Sequence, residues 1–270
     1  MPRIVEIIGP SGSGKSSIYN SLKEKWSSDD PWVTYDHVKY SHVSPAERMI
    51  RRFQKAIRSF NPFLKREIPK TEMIPEWKVI DHRNQTFLGD DYAGAKSVLM
   101  DLVEKHAKSA YDGSDKRFNT IYMLMWSIAQ IDTLKRMKED DRFCILRQGE
   151  GLISRVMHLN SPTFDENALI TYLDAVPLPD VLFVLQLDPV EIVNRIKKRD
   201  RMSTLHKGMD GQELFRYTQS TYNLLQRAAG FAENHGVHVY RVDVSDPVEN
   251  SVERISDALV NLAASGKAAR

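Results

Sequence analysis

One eight-residue stretch restricts the folds open to this chain more than any other. Gly9-Pro-Ser-Gly-Ser-Gly14-Lys15-Ser16 fits the pattern Gly-x-x-x-x-Gly-Lys-Ser/Thr. It follows the β-branched run Ile4-Val5-Glu6-Ile7-Ile8 and leads into a helical pattern from Ser16 to Trp26. A buried strand that enters a glycine turn and leaves as a helix turns its loop amides inward and offers the positive end of the helix dipole. Such a loop holds polyphosphate. Gly9, Ser11, Gly12, Ser13 and Gly14 shape the cradle, Lys15 brings a mobile positive charge, Ser16 places a hydroxyl where Mg²⁺ would bridge terminal phosphates, and Ser17 reaches the inner phosphate.

The rest of the chain alternates in the same manner. Apolar runs at Trp32–Tyr35, Phe143–Leu146, Val181–Leu187 and Val237–Val242 predict four further strands. Helical spacing covers about 44–68 (broken near Pro62), 95–110, 118–138, 154–159, 166–173, 189–199, 211–233 and 248–262. Residues 69–94 read as loop with one short strand, and the small, basic tail Ala263–Arg270 as frayed. Strands this far apart pair in parallel through right-handed crossovers, so the fold class is α/β with helices on both faces of the sheet. No repeat or linker divides the chain, which reads as a single domain over 1–270.

Composition narrows the partners. With 41% hydrophobic and 27% charged residues, the chain has material for a large core, which excludes a disordered or collagen-like protein. A net charge of +2 gives no bulk attraction to nucleic acid or to a membrane surface. Arg48, Arg51, Arg52, Lys55 and Arg58 form a local basic face that meets water or an anionic acceptor. The single cysteine, Cys144, excludes an internal disulfide and suits a reducing compartment. There is no apolar run long enough to span a membrane and no signal-peptide layout at Met1-Pro-Arg-Ile-Val-Glu, so the expected location is cytoplasmic.

The glycine loop, the strand pattern and the basic segment Arg195-Ile-Lys-Lys-Arg199-Asp-Arg201 together resemble the P-loop kinases of nucleosides and nucleotides, with the deoxynucleoside and thymidylate kinases nearest. The resemblance spans nearly the whole chain. It implies a three-layer P-loop NTPase fold, a five-stranded parallel sheet in the order 2-3-1-4-5, an arginine-rich lid over about 200–210, and an acceptor-covering insertion over 37–94. ATP and Mg²⁺ are the implied cofactors. The implied partner is a small-molecule phosphate acceptor, with neither membrane nor nucleic acid involved; a homodimer is left open.

Further site residues follow from the same resemblance. Arg195, Arg199 and Arg201 match the lid arginines that steady charge on the transferred phosphoryl group; as a bare sequence they also suit a solvated helix end. Asp36, just past the second strand, matches the acid facing the acceptor, and equally suits a turn cap. After the third strand the family carries Asp or Glu followed by Arg, whereas this chain has Leu146-Arg147. Arg147 matches the arginine, and Glu150 must then serve magnesium from a shifted position. Arg155 points to acceptor or phosphate, or to an ordinary helix surface. Trp77, Phe87 and Tyr92 are candidates for stacking on a base, and Asp90-Asp91 for a sugar or amine. Asp243, after the last strand, stands where such kinases let the backbone border adenine, and in Asp243-Val-Ser-Asp246-Pro247 it also suits a helix cap.

Three functional classes remain on the sequence. The first is an ATP- and Mg²⁺-dependent small-molecule kinase acting on a nucleoside or nucleoside monophosphate, or alternatively on a sugar, an antibiotic or another hydroxylated metabolite. The second is a nucleotide-dependent switch or regulatory ATPase, which the arginine-rich segment disfavours; a switch GTPase would also need Asn-Lys-x-Asp and a remodelling ATPase an apolar run ending in Asp-Glu, and neither occurs. The third, nucleic-acid binding, has only the basic face in its support.

Overall fold

The computed structural model describes residues 1–41, 93–107, 116–135, 141–147, 149–199, 206 and 208–268. The elements run β1 (Arg3–Ile8), α1 (Lys15–Lys25), β2 (Trp32–Thr34), α2 (Tyr35–Ser41), α3 (Ala93–His106), α4 (Arg117–Lys135), β3 (Phe143–Ile145) and α5 (Leu152–Arg155). A 3₁₀ turn (Val156–Leu159) continues α5, followed by α6 (Glu166–Ala175), β4 (Val181–Gln186), α7 (Pro189–Lys197), α8 (Gly211–Asn234), β5 (His238–Asp243) and α9 (Val248–Ala268).

All five strands pair in parallel, in the order β2-β3-β1-β4-β5. β1 sits at the centre, with Val5 opposite Ile145 on one side and Val181 on the other. Alternation along the strands then sorts the apolar side chains to two faces. Ile4, Ile8, Cys144, Leu182 and Val184 join α3, α4, α5, α6 and most of α8 in one core. Val5, Ile7, Ile145, Phe183 and Leu185 join α1, α7 and α9 in the other. The fold is α/β in three layers, with helices on both faces of the parallel sheet. Among the described residues no helix is long and apolar enough to cross a membrane.

Helix starts are marked by local chemistry. Asp165 caps α6 through the Ala168 amide, and Asp188 caps α7 through that of Val190 with Pro189 at the first helical position. Asp210 and Glu213 form a reciprocal capping box at the start of α8. α1 differs: it opens on Gly14 at φ 92° without a side-chain cap, which leaves its first-turn amides to the glycine loop.

Two sequence expectations are corrected. The second strand stops at Thr34, and Tyr35 opens the helix Tyr35–Ser41 instead of continuing the strand. Tertiary partners fix this turn into helix: Thr34 Oγ1 meets His37 Nδ1 at 2.9 Å, the Asp36 amide donates to Tyr19 Oη at 3.1 Å, and His37 stacks on Trp26 at 4.3 Å. The tail likewise does not fray at Ala263; α9 continues to Ala268, with Ala263 buried against the core around Ile255 and Leu259. Alanine is the strongest helix former, and small side chains fit the remaining space. The helix expected over 154–159 begins at Leu152 and is part α, part 3₁₀. The expectations for 44–68 and for most of 69–94 lie outside the described residues.

Removing a cap tests this account of α8. Asp210→Ala should cost about 1 kcal/mol, lowering the melting temperature by roughly 2–4 °C in thermal denaturation. An unchanged midpoint would show that the capping box contributes nothing.

Candidate active site

The glycine loop is built by contacts on both of its sides. A Cβ at Gly9 would lie 2.6 Å from Ser13 Oγ, and one at Gly12 would lie 2.9 Å from Ile196 of α7. Gly12 also holds φ 102°, the left-handed region that glycine alone enters without strain. The loop therefore turns tightly between β1 and α1 while resting on α7. Ser13 is buried with its hydroxyl unpaired, whereas Ser16 and Ser17 are exposed at the mouth of α1. Ser11 is half-buried at the rim.

Lys15 curls back over this loop. Its ammonium donates to the carbonyls of Gly9 at 2.5 Å and Pro10 at 2.8 Å. Burial, with the positive charge of Arg199 nearby, lowers its pKa from the usual lysine value to about 7. Arg199, two residues past the end of α7, is the like charge that adds to this lowering. It also helps burial depress the pKa of His206, buried against Tyr217, to about 4. Arg195 points elsewhere: its guanidinium bonds Glu191 at 3.1 Å and the Val244 carbonyl at 3.3 Å, beside the turn that follows Asp243. Asp243 accepts from the Ser245 amide at 2.9 Å, and its own carbonyl accepts from Arg254 at 3.1 Å. Arg201 lies outside the described residues.

A second charged group gathers at the ends of β2 and β3. Asp36, only 5% exposed, takes Lys23 of α1 at 2.7 Å on one oxygen and Arg147 at 2.5 Å on the other. Burial pushes the carboxyl pKa up, but the hydrogen bonds from Lys23 and Arg147 outweigh it and hold the group below its usual range. Arg147 responds in the opposite sense: burial disfavours its charge, and the bond to Asp36 more than restores it. Glu150 closes the same turn, 3.7 Å from Arg147 and accepting from Gln130 of α4 at 3.2 Å. Leu146 is buried, its amide tied to the Val5 carbonyl at 2.9 Å. Arg155 reaches Ser127 Oγ and Met123 Sδ of α4, both at 3.2 Å, so α4 and the turn after β3 share one wall.

The structure thus brings together Asp36, Arg147 and Glu150, and separately Lys15 and Arg199. The aromatic and acidic candidates at Trp77, Phe87, Tyr92 and Asp90-Asp91, and the basic face at Arg48–Arg58, lie outside the described residues. Sequence reading missed Lys23, Gln130 and Glu6. Lys23 and Gln130 come from helical positions with no local motif. Glu6 carried a signal, being a lone charge in an otherwise aliphatic run. Ser16 and Glu150 carry the hydroxyl and carboxylate oxygens that magnesium favours. Among the described residues no cluster of three or more His, Cys, Asp or Glu side chains forms a ready-made metal cage.

No protein-family model matches the chain, and no curated protein matches it. Among solved structures it is similar to deoxyadenosine kinase from M. mycoides with bound dATP, at 16% identity and a TM-score of 0.45, over 95% of this chain and 98% of that one.

The lysine makes a measurable prediction. A bound triphosphate should draw the Lys15 pKa from about 7 back toward the ordinary lysine value. Between those two values the bound state holds a proton that the empty state lacks, so binding takes up a proton and weakens as pH rises above about 7. Calorimetry with a magnesium–ATP analogue at pH 8, in buffers of different ionisation enthalpy, should show uptake approaching about one proton. Lys15→Met should abolish it. Zero uptake by the unaltered protein would show that the ammonium is already charged in the empty loop.

Proposed function

We propose that this chain is an ATP- and Mg²⁺-dependent phosphotransferase for a small-molecule hydroxyl or phosphate acceptor, with a nucleoside or nucleoside monophosphate first by the sequence resemblance. One observation carries the reading: a glycine loop gripping its lysine, with Arg199 bearing on it, at the same sheet edge as a carboxylate held between two cations. Triphosphate charge suits the first group, and an acceptor suits the second. In open α/β sheets ligands lie beyond the carboxyl ends of the strands, where β1, β2 and β3 present these residues.

In this reading the amides of residues 9–15 and the Lys15 ammonium hold the phosphate tail, with Gly9, Gly12 and Gly14 allowing close backbone approach. Ser16 and Glu150 would hold magnesium, which when bound neutralises charge between the terminal phosphates. Arg199, with Arg201, counters charge spreading over the equatorial oxygens, while Arg195 stays on Glu191 and the Val244 carbonyl. Asp36 orients an acceptor hydroxyl and receives its proton. Its depressed pKa makes it a weak base, which is adequate where the transition state is loose and the proton moves late. Arg147 must then give up part of its bond to Asp36, freeing its guanidinium for the acceptor or its phosphate. Asp243 and Val244 border the nucleotide base.

The buried Leu146 in place of an acid favours keeping a second acceptor class, a sugar or another hydroxylated metabolite. A panel of nucleosides, nucleoside monophosphates and sugars, incubated with protein and Mg²⁺-ATP, should reveal an acceptor that stimulates ADP release. Release indifferent to every acceptor would instead favour a regulatory ATPase. With a hydroxyl acceptor, Asp36→Asn should lower kcat by about 10²–10⁴-fold with ATP affinity nearly unchanged. With a phosphate acceptor, which needs no base, the same substitution should mainly raise the acceptor KM by loosening Arg147. Lys15→Ala should abolish transfer in both cases. Full kcat in Asp36→Asn with a hydroxyl acceptor would remove Asp36 as the base.

A further inference from the structure

Glu6 is 2% exposed, three residues before Gly9, in a strand whose neighbouring side chains Ile4, Val5, Ile7 and Ile8 are aliphatic. Burying a carboxylate is costly unless its oxygens are matched, and here they are matched by backbone. Glu6 accepts from the amides of Ser154 at 2.6 Å and Ile153 at 3.2 Å, at the start of α5. Burial still raises its carboxyl pKa, against the pull of those amides, of Ser154 and of the Arg155 charge.

The segment so gripped has unusual connections. Just upstream, the Leu146 amide donates to Val5, the residue before Glu6. Between these two ties lies the turn that carries Arg147 and Glu150, closed by the Glu150 amide on the Arg147 carbonyl at 3.0 Å and by Gly149 at φ 71°. β1 therefore holds that turn at both ends through adjacent residues. Gly151 is part of the same device, since a Cβ there would overlap the Glu6 carboxylate. Fully buried Tyr172 of α6 steadies the opposite side by donating to the Leu152 carbonyl at 2.6 Å. An aliphatic residue at position 6 would suit the core but leave the Ile153 and Ser154 amides unpaired inside it.

We propose that Glu6 is a positioning residue: from the strand that ends in the phosphate loop, its carboxylate sets Arg147 and Glu150 in register with Lys15. Phosphate loop and acceptor turn are thereby built on one strand. The proposal rests on the phosphotransferase reading for its catalytic consequence, and on geometry alone for the grip itself. A misplacement of about 1 Å in a group that orients reactants can cost about 10²-fold in rate.

The test compares Glu6→Gln with the unaltered protein in three measurements. Hydrogen exchange read by mass spectrometry should show faster exchange over 147–155, with 93–106 unaffected. Affinity for a non-hydrolysable ATP analogue should stay within about threefold, while kcat for the acceptor found above falls at least about tenfold at an unchanged KM for ATP. A residue that only stabilised the fold would lower the melting point without that split. Equal exchange and a kcat within about twofold would overturn the proposal. Should Glu6→Gln not fold, Gly151→Ala displaces the carboxylate from the other side and should give the same split. Exchange of the Ile153 and Ser154 amides in the unaltered protein decides independently: rates as fast as an unstructured chain would disprove the grip. If the unaltered protein transfers phosphate to no acceptor, the phosphotransferase reading fails, and the exchange comparison still decides the role of Glu6.

Discussion

Everything in this molecule is referred to β1, because it alone has the sheet on both sides and the phosphate loop at its end. Its backbone is hydrogen-bonded to β3 and β4, so no edge is open to water, and its aliphatic side chains are shared between two cores. A strand satisfied in every direction is a stiff base for a loop that must present amides at fixed angles. The loop is also tied internally, the Ser13 amide donating to the Pro10 carbonyl at 3.2 Å. It is shaped by Ser13 beneath Gly9 and by α7 behind Gly12.

Charge in the site is arranged by mutual restraint. Asp36 would be a poor resident of a buried position by itself, and Lys23 and Arg147 make it a stable anion. Among the described residues Lys15 meets the Gly9 and Pro10 carbonyls and a like charge nearby, so its buried position disfavours the ammonium. One group is satisfied without ligand and the other is not. The contrast separates a carboxylate already settled by its protein partners from a lysine charge that an anionic ligand would complete.

Local signals in the sequence were dependable where the physics is local. The glycine pattern, the β-branched runs and the Asp-Pro start of α7 each determine their own neighbourhood, and the sheet order followed once the loop was recognised. Positions decided by distant partners were not legible. Tyr35 continues an apparent strand in sequence, yet Tyr19 and Trp26 of the preceding helix and its exit draw the next turn into α2. The α9 tail looked too small and polar to order, and packing of Ala263 with intrinsic alanine propensity carries it on to Ala268. Lys23 and Gln130 act in the site from helices with no motif of their own. Glu6 was visible as an oddity, but its meaning depends on amides almost 150 residues away.

The lone thiol of the chain lies in the middle strand of the β2-β3-β1 half, fully enclosed in the core. No alkylating reagent reaches Cys144 while β3 stays paired. Its rate of modification is consequently an internal stopwatch for opening of the sheet, readable without an added dye and silent toward events confined to the surface.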